Sequence, residues 1–443
     1  VSAFLLRGGT LVTLDLARRV LVGDILVRAG RIVALGEISP QESEGARVID
    51  ATGMAVLPGL VQTHIHLCQT LLRNGADDLR LLDWLRCRVW PMEGAHTPES
   101  LATSCDVGIA ELLLGGTTTL LDMGTVHHQD TVFERLAAWG IRAAAGKAMM
   151  DFGDEVPASL RETTAHSLAE SRALIARWHG SESGRLRYAY APRFALSCSD
   201  ELLRAVGRDA EELDVLIHTH ASEQRDECAI VEALRGDSNI AYLRDTGIYG
   251  PRAVLAHCVW PTERELGMLA KDQTRVAHCP SSNLKLGSGV APIVEMLSRG
   301  IQVSLGADGA PCNNRLDGFE ELRLAALLQK PLSGPASLPA RRALEMATLD
   351  GARALGLAHE IGSLEVGKKA DIIAVDLRGA HHLPGGDVYA ALVYCARASD
   401  VRTVLVDGAL KVESGQLVQH DPDELRHRAS RTAEALQRRA GLL

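Results

Sequence analysis

The stretch LPGLVQTHIHLCQ, residues 57–69, is where the reading of this chain turns. It reads as an apolar strand that ends in two histidines, His64 and His66, with a single isoleucine between them. A strand places residues i and i+2 on one face, so both imidazoles point the same way. Two neutral imidazoles on one face make half of a metal site. Taken alone the pair is a weak signal, because two histidines also sit on strands without binding anything.

Downstream, apolar strand candidates alternate with helix-length segments. In order the strands are LPGLVQTHIH (57–66), TTTLLDM (117–123), IRAAAGKAMM (141–150), RLRYAYAP (185–192), VLIHTHA (215–221), AVLAHCV (253–259), TRVAHCP (274–280) and QVSLGAD (302–308). Helix candidates between them include 98–116, 158–178 and 261–272. Buried parallel strands read as continuous apolar runs, and eight of them with intervening helices are what a (β/α)8 barrel requires. The expected barrel spans residues 57–360. Residues 1–56 and 361–420 have a different texture, short alternating strands with turn signals at Ala29-Gly30 and Asp407-Gly408. They are expected to form one small β-sandwich from both ends of the chain, followed by a helix over 421–443.

Composition narrows the function classes. The 443 residues carry 46% hydrophobic and 23% charged side chains, ordinary for a globular protein. With 47 basic and 56 acidic residues the net charge is -9, and no basic run is interleaved with aromatics. Nucleic-acid binding is therefore not expected. Nine scattered cysteines without a Cys-x-x-Cys pair argue against a disulfide framework and for a reducing cytoplasm. Cys258 and Cys279 lie in apolar runs and are expected to be buried. No signal peptide is expected from VSAFLLRGGTLVTLD, and no apolar stretch approaches the ~18 residues of a membrane span.

In a barrel of this kind chemistry sits at the C-terminal strand ends. The first strand ends in His64 and His66, and the fifth in HTHASE, with His218, His220 and Glu223. The sixth ends in His257, the seventh in His278 and the eighth in Asp308. So many ionisable groups on separate strands are rarely buried unless they converge. Three histidines and a carboxylate suit zinc with one position left open for water. Hydrolysis at such a site also needs a proton carrier for the leaving group, and Glu223, three residues past His220, is placed for it.

These residues resemble the amidohydrolase superfamily, in its branch of guanine, adenosine and related deaminases with the triazine hydrolases. The resemblance runs from GDILVRAGRIVALG to VLVDGALKV and includes VLPGLVQTHIH, HTHASE, LAHC, AHCPSSN and GADGAPCNN. It implies the barrel and the two-part sandwich. Residue by residue it implies His64, His66, His220 and Asp308 as metal ligands, and His257 as a contact to the substrate or its tetrahedral intermediate. Glu223 becomes the proton shuttle, and Asp308 also takes a proton from the attacking water. Binuclear members carry a bridging lysine after the fourth strand; RLRYAYAPR has none, so one zinc per chain is expected, with ferrous iron as the alternative. The roles of His218 and His278 stay open. The remaining histidines, His381 and His382 among them, are expected at the surface.

At the substrate level the motifs are mixed. Gln69 in HIHLCQ and Arg193-Phe194 in APRFALSCSDE are similar to guanine deaminase, with Gln69 as a base-contacting amide, Arg193 as donor to a purine carbonyl and Phe194 as a packing surface. LLDWLRCRVWPMEG, with Trp84 and Glu93, resembles the S-adenosylhomocysteine and methylthioadenosine deaminases, in which the matching acid binds ribose hydroxyls. Those enzymes carry a histidine where Arg193 stands. QTLLRNG and the segment 344–373 resemble melamine deaminase. The expected reaction is hydrolytic deamination of an amino-substituted nitrogen heterocycle, guanine to xanthine first. The alternatives are an S-adenosylhomocysteine, methylthioadenosine or adenosine deaminase, or an s-triazine aminohydrolase. A homodimer or higher oligomer acting on a small molecule, without nucleic acid or membrane, completes the expectation.

Overall fold

In the computed structural model, which describes residues 3–443, all eight expected strands form in parallel. They are β1 (Leu60–His66), β2 (Thr117–Met123), β3 (Arg142–Gly146), β4 (Leu186–Pro192), β5 (Leu216–Ala221), β6 (Ala253–His257), β7 (Arg275–His278) and β8 (Val303–Leu305). Each pairs with its neighbour in chain order. The ring closes through an interruption: β8 pairs with β7, and after a gap of two residues Asp308–Gly309 pairs with β1 in the register Asp308↔Ile65. Gly306 makes that crossing possible. A Cβ there would sit 2.7 Å from the backbone nitrogen of His64, so only glycine lets the eighth strand cross so close to the first.

The strands are apolar on both sides because both sides are covered. Val61, Leu121, Ala144, Ala189, Val254 and Ala277, from six different strands, share one apolar cluster with Leu355, Leu357 and Ile361. A larger cluster joins the other strand faces to the surrounding helices. The helix expected over 98–116 runs Pro98–Leu114, with Thr97 accepting from the Ser100 N–H as its cap. The helix expected from residue 158 begins only at Thr164, because the Thr163 hydroxyl caps it there by accepting from the His166 N–H.

The two ends of the chain meet in a second sheet, separate from the barrel. Its hydrogen-bonded order is Gln416–Leu417, Ala409–Glu413, Val401–Val406, Ile372–Asp376, Met54–Pro58, Phe4–Val12, Val20–Arg28, Arg31–Gly36, with Arg47–Asp50 also pairing Phe4–Val12. Met54–Pro58 against Ile372–Asp376 is where the ends join. Both expected hairpin turns form, with positive φ at Ala29, Gly30, Asp407 and Gly408. The turns pack on each other so closely that a Cβ on Gly408 would meet the Gly30 Cα at 2.5 Å. The final helix, Pro422–Arg439, lies on Pro98–Leu114, and its buried Leu436 joins the cluster containing Leu72, Leu81, Trp84 and Trp90. Among the described residues the nine cysteines are unpaired, with Cys258 and Cys279 buried, and no helix is long and apolar enough to cross a membrane.

Candidate active site

Four side chains from three places in the ring converge at the C-terminal strand ends. His64 and His66 come from β1, His220 from β5, and Asp308 from the turn that closes the barrel. Asp308 Oδ1 lies 3.2 Å from His64 Nε2 and 3.3 Å from His66 Nε2, and His66 Nε2 lies 3.3 Å from His220 Nε2. With ligand bonds of ~2.0–2.1 Å, the edge of a tetrahedral zinc site is about 3.3–3.4 Å. The spacings therefore fit a single divalent metal. His64 Nε2 is buried with no hydrogen-bond partner in the protein, which an ion at this place would satisfy.

The distal ring nitrogens are already committed. His66 Nδ1 donates to the Met123 carbonyl at 2.8 Å, and His220 Nδ1 to the Arg193 carbonyl at 2.7 Å. Each leaves a lone pair on Nε2, the form a metal needs. Burial pushes His64 and His66 down to about 4 and His220 well below the usual histidine value, so all three are neutral. Burial works to raise Asp308, but it is outweighed and the carboxylate lies well below its usual range; His257, whose own value is raised, is the neighbour able to carry the balancing charge. Ser282 Oγ donates to Asp308 Oδ2 at 2.6 Å. Backbone strain gathers at the same rim: Ser222, His257, Cys258 and Asp308 all have positive φ.

Glu223 stands beside this cluster, 3% exposed. Burial pushes its carboxyl up to about 7, so near neutral pH it holds a proton part of the time. Its loop is pinned by Glu227, which accepts the N–H groups of both Glu223 and Gln224. His257 Nε2 lies 3.6 Å from Glu223 Oε2 and 3.8 Å from Asp308 Oδ2, between the two carboxyls. Its Nδ1 donates to Asn283 Oδ1 at 2.8 Å, which fixes the ring.

The substrate-side residues also meet, in an arrangement the sequence did not reveal. Arg193, expected to donate to a purine carbonyl, and Glu93, expected to accept from ribose hydroxyls, are bonded to each other. Arg193 Nη1 donates to Glu93 Oε2 at 2.5 Å and Nη2 to Oε1 at 3.2 Å, with both residues 2–3% exposed. Gln69 Nε2 donates to the same Oε1 at 2.9 Å. Burial works to raise the Glu93 carboxyl, and Arg193 and Gln69 outweigh it, leaving it below its usual value. Gln69, Trp84, Arg193 and Phe194 line the cavity together with His66, His220, Glu223 and Asp308, while Glu93 lies behind them. Leu81, Leu85 and Leu286 complete the wall. These leucines had no polar signature to mark them. Ser282 and Asn283, by contrast, stand in the AHCPSSN motif, where their polar side chains were visible in the sequence.

Two surface expectations need correction. His382 is 6% exposed, tucked behind His381 with its Nε2 3.4 Å from Asp400 Oδ2. His96 is 7% exposed, bonded through Nε2 to the Cys68 carbonyl and through Nδ1 to Ser100 Oγ. His382 ends a short 3-10 helix and His96 follows a turn, and local polarity does not report the burial of either. His278 is buried, and neither ring nitrogen has a protein partner. It is not in the cavity wall.

Comparison with known proteins agrees with the geometry. Residues 55–411 match the model of the Amidohydrolase family. A 5-methylthioadenosine/S-adenosylhomocysteine deaminase of Moorella thermoacetica is 42% identical over 379 residues, 85% of this chain and 86% of that protein. A 5'-deoxyadenosine deaminase of Methanosarcina acetivorans is 37% identical over 419 residues, 94% of each. Among solved structures, an adenosine deaminase from Xanthomonas campestris with bound zinc superposes with a TM-score of 0.92 at 32% identity, covering 99% of both chains. These relatives are adenosine-type deaminases, which favours the nucleoside alternative over guanine as the leading expectation. The chain belongs to the amidohydrolase family.

Proposed function

We propose that this protein is a metal-dependent hydrolytic deaminase of 6-aminopurine nucleosides altered at the 5′ position, such as 5′-deoxyadenosine, methylthioadenosine or S-adenosylhomocysteine. The products are the corresponding 6-oxopurine nucleoside and ammonia. The observation that supports it most is the cluster of buried His64, His66 and Asp308 with half-buried His220, and a protonatable Glu223 beside it. The substrate class rests on the relatives. Zinc held by these ligands would lower the pKa of a bound water toward neutrality and so supply the nucleophile.

The protein's own groups carry the protons. Asp308 Oδ2, free of the ligand cluster and near His257, accepts the proton of the attacking water. Glu223 donates its proton to the ring nitrogen next to the amino-bearing carbon, which makes that carbon electrophilic. His257 Nε2, held by Asn283, hydrogen-bonds the attacking oxygen. Glu223, now ionised, takes the second proton of the attacking oxygen and passes it to the amino group, which leaves as ammonia. The proton held by Asp308 restores the acid form of Glu223. Leu81, Trp84, Leu85 and Phe194 exclude bulk water from the heterocycle.

Guanine deamination is the second reading, favoured by one observation: Gln69 and Arg193 line the cavity and Glu93 does not. Ammonia release from 5′-deoxyadenosine, methylthioadenosine, S-adenosylhomocysteine, adenosine, guanine and melamine decides between them. The nucleoside reading expects the highest kcat/KM on one of the first three. A higher kcat/KM on guanine replaces it.

A further inference from the structure

We propose that His218 is a positioning residue that sets the tautomer of the metal ligand His64. The inference rests on the reading of the cluster as a metal site. His66 and His220 each give their distal N–H to a main-chain carbonyl, which can only accept, so their Nε2 lone pairs are assured. His64 has no such carbonyl. Its Nδ1 lies 2.7 Å from His218 Nε2, and an imidazole nitrogen can either donate or accept. The ambiguity is resolved one step further on. His218 Nδ1 lies 3.0 Å from the Val254 carbonyl, so it must carry the proton.

A neutral His218 then has only a lone pair left on Nε2. His64 Nδ1 must donate to it, and His64 Nε2 faces the metal position as a lone pair. The relay runs from the main chain of β6 through β5 to β1, and both histidines are 0% exposed. His218 and Val254 are register partners, so strand pairing itself holds the carbonyl in place. His218 and His220 lie two residues apart on β5 and face the same side. One strand thus supplies a ligand and the group that orients another ligand. With a donor at the His218 position, His64 would turn its own N–H toward the metal and cease to be a ligand.

The test uses the full chain, zinc, and three proteins: wild type, His218→Leu and His218→Gln. Leucine removes the acceptor, whereas glutamine can offer its Oε1 to His64. Competition against a chelator should show zinc bound about 10–100-fold more weakly by His218→Leu, the usual effect of losing an outer partner of a ligand histidine. His218→Gln should stay close to wild type. Nitrogen-15 spectra of zinc-loaded wild type, which need no variant to fold, should show the His64 proton on Nδ1. Wild-type affinity in His218→Leu, or a His64 ring without a proton on Nδ1, overturns the proposal. A wild-type protein that fails to take up zinc instead overturns the metal reading beneath it.

Discussion

The pocket has two walls built in different ways. On the side proposed to hold the metal the side chains stand at strand ends, and two of its three candidate ligand histidines are oriented by main-chain carbonyls. On the substrate side they stand on the short turn Leu67–Leu72, the segment Leu81–Gly94 and the loop after β4, and they are oriented by one another through the buried Arg193–Glu93–Gln69 network. Main-chain geometry survives most side-chain changes, whereas a side-chain network changes whenever one member does. On the proposed function, the chemistry would be carried by the fold, and specificity by a few exchangeable residues.

The sharpest way to break the metal wall is to remove its ligands. His64→Ala with His66→Ala should abolish metal retention and turnover, read by elemental analysis and ammonia release; full metal occupancy would dismiss these ligands. Next comes the acid between the walls. Glu223→Gln cannot shuttle a proton, and its kcat should fall at least ~100-fold with metal content unchanged. Near-normal turnover would place the shuttle on another residue.

The substrate wall should respond through its pair rather than through single residues. Arg193→Ala leaves a buried carboxylate unpaired, a change that typically costs ~3–5 kcal/mol of stability. On guanine, whose carbonyl Arg193 would bond under the second reading, kcat/KM should also fall roughly 10- to 150-fold, the ~1.5–3 kcal/mol of a lost charged hydrogen bond. Replacing both, as Arg193→Met with Glu93→Gln, should recover most of the stability but not the kcat/KM. A double variant as unstable as Arg193→Ala would mean that the network does not act as a unit.

A smaller effect appears in the pH dependence of folding. Glu93 is held below its ordinary value of 4.5 in the folded state. The stability it contributes is therefore complete above 4.5 and is lost as pH falls through the depressed folded value, because the unfolded chain takes up the proton first. Urea unfolding should show wild type losing its advantage over Glu93→Gln only in that acid window. A constant difference across it would assign the stabilisation elsewhere.

The same division explains what could be read in advance. The barrel was legible because the strands are continuous apolar runs, five of them leading into ionisable residues, and the period of two put His64 beside His66 and His218 beside His220. The closure at Gly306 is hidden in an ordinary-looking SLGAD. The Arg193–Glu93 pair joins residues 100 positions apart on different elements, so no local spacing announces it. Read separately, each motif suggested a different substrate. Paired, they form one network.

The central claim is that one metal at the strand ends drives deamination. Metal-free protein titrated with zinc, while ammonia release from 5′-deoxyadenosine is followed, tests it most directly. Activity should rise in proportion to zinc and stop at one equivalent per chain. Full activity without added metal, or a rise that continues to two equivalents, would contradict the account.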